Sequence, residues 1–177
     1  LVRHMLRAHG LKVGVIGTLG TWIDDDVIPG ARTTPESTDL YALFARMRDK
    51  DVTHVVMEVS SHGLALHRVD GVHFDVAVFT NLTQDHLDFH GDMESYFSAK
   101  SLLFERCSTA IINVSDEYGA RLAARHPLAV TLGEQWNVVN ATSRGTSGQS
   151  FTLEGARSVD VTVPLIGDFN AQNAALA

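Results

Sequence analysis

HVVMEVSSHG, residues 54–63, carries the reading of the fold. Residues 54–59 are almost uninterrupted in their apolar character. Parallel strands covered by helices on both faces have this pattern, whereas half-solvated strands alternate. The stretch then turns polar at Glu58, Ser60, Ser61 and His62. Residues 74–79 (FDVAVF) and 109–113 (TAIIN) are strands of the same kind, and residues 12–16 and 128–132 add two more. Between them lie helical segments. Thr34 followed by Pro35 is the expected start of one, a hydroxyl N-cap with proline at the first helical position. Leu40, Leu43, Phe44 and Met47 follow at helical spacing, and Asp51 ends the segment. Residues 93–104 and 115–125 are predicted helices. A first helix stops at Gly10, a good residue just past a helix end. Strands alternating with helices predict an α/β fold with a mostly parallel sheet flanked by helices. From about residue 137 the rhythm changes. Residues 138–142, 149–153 and 158–164 are short strands punctuated by Gly145, Gly148 and Gly155, which predicts an antiparallel ribbon appended to the sheet.

The composition fits one soluble domain. The chain has 177 residues, 45% of them hydrophobic and 20% charged, enough to bury a core without metal or disulfide support. Acids outnumber bases 21 to 14, giving a formal charge of −7. This argues against nucleic acid and against anionic membrane as partners, since both select a basic face. Cys107 is the single cysteine, which excludes an internal disulfide and suits a reducing cytoplasm. No apolar run approaches the about 18 residues of a membrane span, and no signal peptide is recognisable. The first residues read as the middle of an amphipathic helix and residues 169–177 as another helix cut short. A piece of a larger protein is therefore expected.

In α/β sheets ligands gather at the carboxyl ends of strands, so the polar residues there were the candidates for chemistry. Glu58 closes one strand. The next strand ends at Thr80 and Asn81 and enters QDHLDFHGD, which holds Asp85, His86, Asp88, His90 and Asp92. If these two strands are neighbours, Glu58 and His86 converge. One carboxylate, one imidazole and waters would make a Mg²⁺ or Mn²⁺ site. The ligand set is too small for zinc, and the HExxH pattern is absent. The competing reading has Asp85 and His86 merely capping a helix. Lys100 is the only lysine between Lys50 and the C-terminus and lies in the apolar setting YFSAKSLLF. It either snorkels to solvent or points into the site. Neither GxGxxG nor the phosphate-binding GxxxxGK[ST] pattern is present.

ARTTPES (31–37), MEVSSHGLALHRV (57–69), FTNLTQDHLDFHGDMESYFSAKSLLF (79–104) and GDFNAQNAALA (167–177), in this order, resemble the central, ATP-binding domain of the Mur ligases. The likeness is greatest to the MurE type, which adds the third residue of the peptidoglycan stem peptide, and it spans essentially the whole chain. The resemblance implies a P-loop-NTPase-like fold and ATP-driven amide bond formation through an acyl phosphate, with Mg²⁺ as cofactor. It implies UDP-N-acetylmuramoyl-dipeptide and a diamino acid, meso-diaminopimelate or L-lysine, as substrates, and a cytoplasmic role in cell-wall biogenesis, cell shape and division. By matching positions, Glu58 and His86 would be metal ligands and Lys100 the family's carbamylated lysine, these three forming the catalytic set. Thr33, Thr34, Ser60 and Arg68 would hold the muramoyl-peptide. Asn81, Asn170 and Asn173 would lie near the nucleotide. The family's P-loop, its N-terminal UDP-binding domain and its C-terminal domain have no counterpart in residues 1–177. The remainder of a parent ligase chain is thus an expected partner, and the piece alone is expected to be inactive. Two alternatives remain: a non-catalytic muramoyl-peptide-binding module, and another ligase of the Mur or folylpolyglutamate type.

Overall fold

The computed structural model describes every residue except Ala31 and Asp168, so one position each of the ARTTPES and GDFNAQNAALA motifs lies outside the described residues. The chain forms two compact units. The first comprises residues 1–72 and 86–103, the second residues 73–85 and 104–177.

In the first unit, helix α1 (Val2–Ala8) runs into Gly10, which takes a positive φ of 78° as the helix-stop reading expects. Strand β1 (Val13–Gly17) follows, buried at four of its five positions. It pairs antiparallel with β2 (Gly20–Ile23), and β2 pairs with β3 (Asp26–Ile28). Helix α2 (Ser37–Asp49) buries Leu40 and Met47 completely, each worth about 1.5–3 kcal/mol. Strand β4 (His54–Met57) then lies parallel to the other edge of β1, giving the order β3-β2-β1-β4. Short helices α3 (Ser61–Ala65) and α4 (Leu87–His90) and the longer α5 (Met93–Ser101) complete this unit, with Phe97 of α5 at its centre.

In the second unit, β5 (Phe74–Phe79), β6 (Cys107–Asn113) and β7 (Val130–Leu132) form a parallel sheet. Helix α6 (Glu117–Arg125) crosses between β6 and β7 and buries Leu122 fully, as β6 buries Ile112. Its N-cap is Asp116, whose carboxylate accepts the Gly119 N–H at 2.8 Å. Strands β8 (Asn137–Ser143), β9 (Gln149–Glu154) and β10 (Ser158–Val163) make an antiparallel sheet. Helix α7 (Phe169–Leu176) lies on this ribbon, its Ala171 in a small core with Phe151 and Val163.

The α/β class and the antiparallel ribbon agree with the sequence reading. Three details differ. Strands β4 and β5 are not hydrogen-bonded neighbours, since each lies in its own sheet. The apolar run of β4 is not covered on both faces, because β4 is an edge strand and Val55 is 41% exposed. The ribbon is a separate three-stranded sheet and does not extend β5–β7.

Candidate active site

Thr18, Thr33, Thr34, Glu58 and Ser60 meet where β1 and β4 end. Glu58 follows β4 immediately and donates its N–H to Ile16 O at 2.8 Å, continuing the ladder for one more residue. Its side chain is exposed and turns back over the β1–β2 turn. Both the N–H and the hydroxyl of Thr18 donate to its Oε2, at 2.9 and 2.7 Å. Among the described residues no hydrogen bond reaches Oε1, which leaves an acceptor open. Thr18 Oγ1 also lies 2.9 Å from Thr33 Oγ1, so the hydroxyls of two loops share one network with the carboxylate.

Thr34 does something the sequence reading did not foresee. It is not the N-cap of α2, a position held by Glu36. Its side chain is 1% exposed. The hydroxyl donates to Glu58 O at 3.1 Å and accepts from Ser60 N at 2.9 Å. It thereby braces the backbone that carries Glu58 and Ser60, and its side chain is engaged on both sides. Ser60 is the N-cap of α3, its Oγ accepting the Gly63 N–H at 3.0 Å. Its hydroxyl proton stays available to an acceptor.

Arg68 is no free surface charge, with its side chain 13% exposed. It donates to Thr34 O at 3.2 Å and pairs with Glu36 Oε1 at 3.0 Å. Its Nε is buried without a hydrogen-bond partner among the described residues. Glu36 also pairs with Arg32. The sequence reading missed Glu36, whose pairing with Arg32 falls outside a helix and so has no periodic signal.

His86 is exposed at the start of α4 in the left-handed conformation, φ 54°, which costs about 1–2 kcal/mol outside glycine. It does sit at the cap position, as one of the two readings expected, yet its side chain makes no cap bond. Its ring lies 5.0 Å from that of His62 and 5.9 Å from that of Tyr96. His90 stacks on Tyr96 at 5.0 Å and meets the buried Ser61 hydroxyl at 2.9 Å. Burial, reinforced by His62 and His86, pushes the His90 imidazolium below the usual histidine range. Lys100, one turn along α5 from Tyr96, holds its Nζ 5.8 Å from that ring. Burial pushes its ammonium below the ordinary lysine value, which favours the neutral amine. Thr33, Thr34, Glu58, Ser60, Arg68, His86 and Lys100 thus all belong to the first unit.

The donor set suits Mg²⁺ in one respect. That ion keeps waters and binds through one or two carboxylates together with substrate phosphates. Glu58, with its free oxygen, and the exposed His86 are donors of that partial kind. No three His, Cys, Asp or Glu among the described residues gather into a cation site.

The second unit carries the remaining candidates. Asn81 is exposed just beyond β5. On α7, Asn173 Nδ2 donates to Asn170 Oδ1 at 3.4 Å, and Asn170 donates to Ile166 O at 2.9 Å. Sequence reasoning missed Asn113, which is 4% exposed at the end of β6. Its amide donates to Thr80 O at 2.9 Å and to Gln172 Oε1 at 3.2 Å, and its Oδ1 accepts from the N–H and hydroxyl of Ser115. A polar residue closing an apolar strand was the available signal.

Comparison with known proteins gives the class. The model of the Mur ligase middle domain matches residues 1–177, and the chain belongs to that family. Among curated relatives, the UDP-N-acetylmuramoyl-L-alanyl-D-glutamate–2,6-diaminopimelate ligase of Corynebacterium glutamicum is 47% identical over 100% of the chain and 37% of its own length. The ligase of the same name, numbered 1, from Clostridium acetobutylicum is 42% identical over 98% of the chain and 37% of its own length. The chain therefore spans a little over a third of these relatives. A solved 2,6-diaminopimelate ligase of this kind superposes with a TM-score of 0.85 at 25% identity, over 98% of the chain and 38% of that protein. A folylpolyglutamate synthetase from Lactobacillus casei superposes with a TM-score of 0.71 at 20% identity, over 99% of the chain and 51% of that protein, a likeness of fold alone.

Proposed function

We propose that the chain is the middle domain of an ATP-dependent ligase that joins 2,6-diaminopimelate to UDP-N-acetylmuramoyl-L-alanyl-D-glutamate in the cytoplasm. The observation that carries this is the match, over the whole of this chain, to the C. glutamicum enzyme at 47% identity. The sequence alone left diaminopimelate and lysine open, and the relatives' names favour the former.

In this reading the γ-phosphoryl group passes from ATP to the terminal carboxylate of the dipeptide, and the incoming amine then displaces phosphate. Bound Mg²⁺ would neutralise charge on the phosphates. Glu58, His86 and a carbamate on Lys100 would hold it. Carbamylation needs a neutral amine, which adds CO₂ and releases one proton, turning a cation into an anion. The desolvated setting of Lys100 supports that chemistry. Thr33 and Ser60 offer hydroxyls to the muramoyl-peptide, Thr34 holds their backbone in place, and Arg68 is the guanidinium for an anionic group. Asn81, Asn170 and Asn173 lie with the nucleotide.

The test is product formation by the full-length protein. ATP, Mg²⁺ and the UDP-muramoyl-dipeptide are supplied with meso-diaminopimelate or L-lysine, and the UDP-muramoyl-tripeptide is weighed by mass spectrometry. The diaminopimelate product is expected, with its loss in Lys100→Ala. Exclusive use of lysine would overturn the choice of amine. Absence of product with either amine from a folded protein would overturn the ligase reading in favour of a binding module.

A further inference from the structure

The β1–β2 turn, residues 17–20, is built around a carboxylate. Two donors on one residue, Thr18, grip the same oxygen of Glu58, at 2.9 Å from the backbone and 2.7 Å from the hydroxyl. Charge-assisted bonds of this length are among the stronger ones a protein makes. Gly17 leaves room for the approach. A Cβ built there would stand 2.8 Å from Glu58 Cδ, 2.9 Å from Oε1 and 3.1 Å from Oε2. Nothing in the conformation of Gly17 itself calls for glycine, since its φ is not positive. The need is for space alone, and the occupant of that space is the carboxylate. Glu58 is 40 residues from Thr18 in sequence, and as an exposed glutamate it would otherwise be free to change rotamer. Thr18 Oγ1 also reaches Thr33 Oγ1 at 2.9 Å, which ties the loop proposed to meet the muramoyl-peptide to the same grip.

We propose that Thr18 is a positioning residue for metal binding: it fixes Glu58 on Oε2 so that Oε1 stays open to the cation, and links that grip to Thr33. This rests on Glu58 being a metal ligand. Groups that orient metal ligands typically change affinity by about 10–100-fold when removed. Thr18 keeps its backbone donor in every variant, so the lower end applies.

The experiment titrates Mn²⁺ into the full-length protein and reads free Mn²⁺ by electron paramagnetic resonance. The variants are Thr18→Val, Thr18→Ser, Gly17→Ala and Glu58→Gln, with thermal melting as a check on folding. Thr18→Val is expected to raise the Kd about 10-fold. Thr18→Ser, which retains the hydroxyl, should restore it to within about twofold of the parent, a rescue that mere structural damage would not produce. Gly17→Ala should weaken binding with an unchanged Thr18. Glu58→Gln should weaken it most. If Glu58→Gln binds Mn²⁺ as the parent does, the metal-ligand reading fails and this proposal with it. If Glu58→Gln weakens binding while Thr18→Val leaves it unchanged, the metal-ligand reading stands and the role of Thr18 is overturned.

Discussion

The two units treat polar residues at strand ends in opposite ways. In the first, Glu58 and His86 are exposed, and the burial falls on the residues beneath them: Thr34 at 1% and Ser61 at 1%. In the second, Asn81 is exposed and Asn170 half-buried, while the buried amide of Asn113 uses all four of its bonding positions. A hydroxyl brace holds one donor and one acceptor. A buried amide ties together a strand end, a turn and a helix. Buried polar groups stay only where they are satisfied, so the residues with filled partners report scaffold and those with open positions report ligand.

That contrast sets the size of the expected effects, all read by hydrogen exchange on the full-length protein, which resolves local opening. Asn113→Ala removes the buried node and should lower the opening free energy of β6 and α6 by about 2–3 kcal/mol, with the first unit unmoved. An equal loss in both units would break the comparison. Thr34→Val leaves Ser60 N–H and Glu58 O without their partner and should cost about 1–2 kcal/mol around residues 58–64. A pH dependence comes next. Burial lowers the proton affinity of His90 in the fold, so the unfolded chain binds that proton first. Protection of α3 and α4 should be constant above pH about 6.5 and fall as pH drops below it, and His90→Gln should flatten the fall. Smallest of all is Asp25→Ala. Its pair with Arg7 at 2.6 Å is exposed, and no measurable change is expected.

Much of this was legible from the sequence. Gly10 stops a helix, Leu40 and Met47 face a core, and the glycines at 145, 148 and 155 punctuate a ribbon, because each depends on neighbours within a few residues. What was not legible depends on partners far along the chain. Thr34-Pro35 has the local chemistry of a helix cap, yet the Thr34 hydroxyl finds Glu58 and Ser60, 24 and 26 residues away. The apolar run of β4 suggested a covered central strand, but pairing places it at an edge. Consecutive strands often pair, and β4 and β5 belong to different sheets, which hydropathy does not reveal. The site residues were legible as types, since a glutamate, a histidine and a lysine stand out in apolar segments. Thr18, which grips Glu58, and Glu36, which pairs with Arg68, have no such contrast with their surroundings.

The central claim, that the first unit meets the muramoyl-peptide and the second the nucleotide, is tested most directly by steady-state kinetics on the full-length protein with two variants. Arg68→Lys keeps the charge but loses the planar fork and should raise KM for the UDP-muramoyl-dipeptide about 10-fold, with KM for ATP unchanged. Asn173→Ala should raise KM for ATP and leave that for the dipeptide unchanged. If both variants move the same KM, or neither moves either, the division of roles between the two units is contradicted.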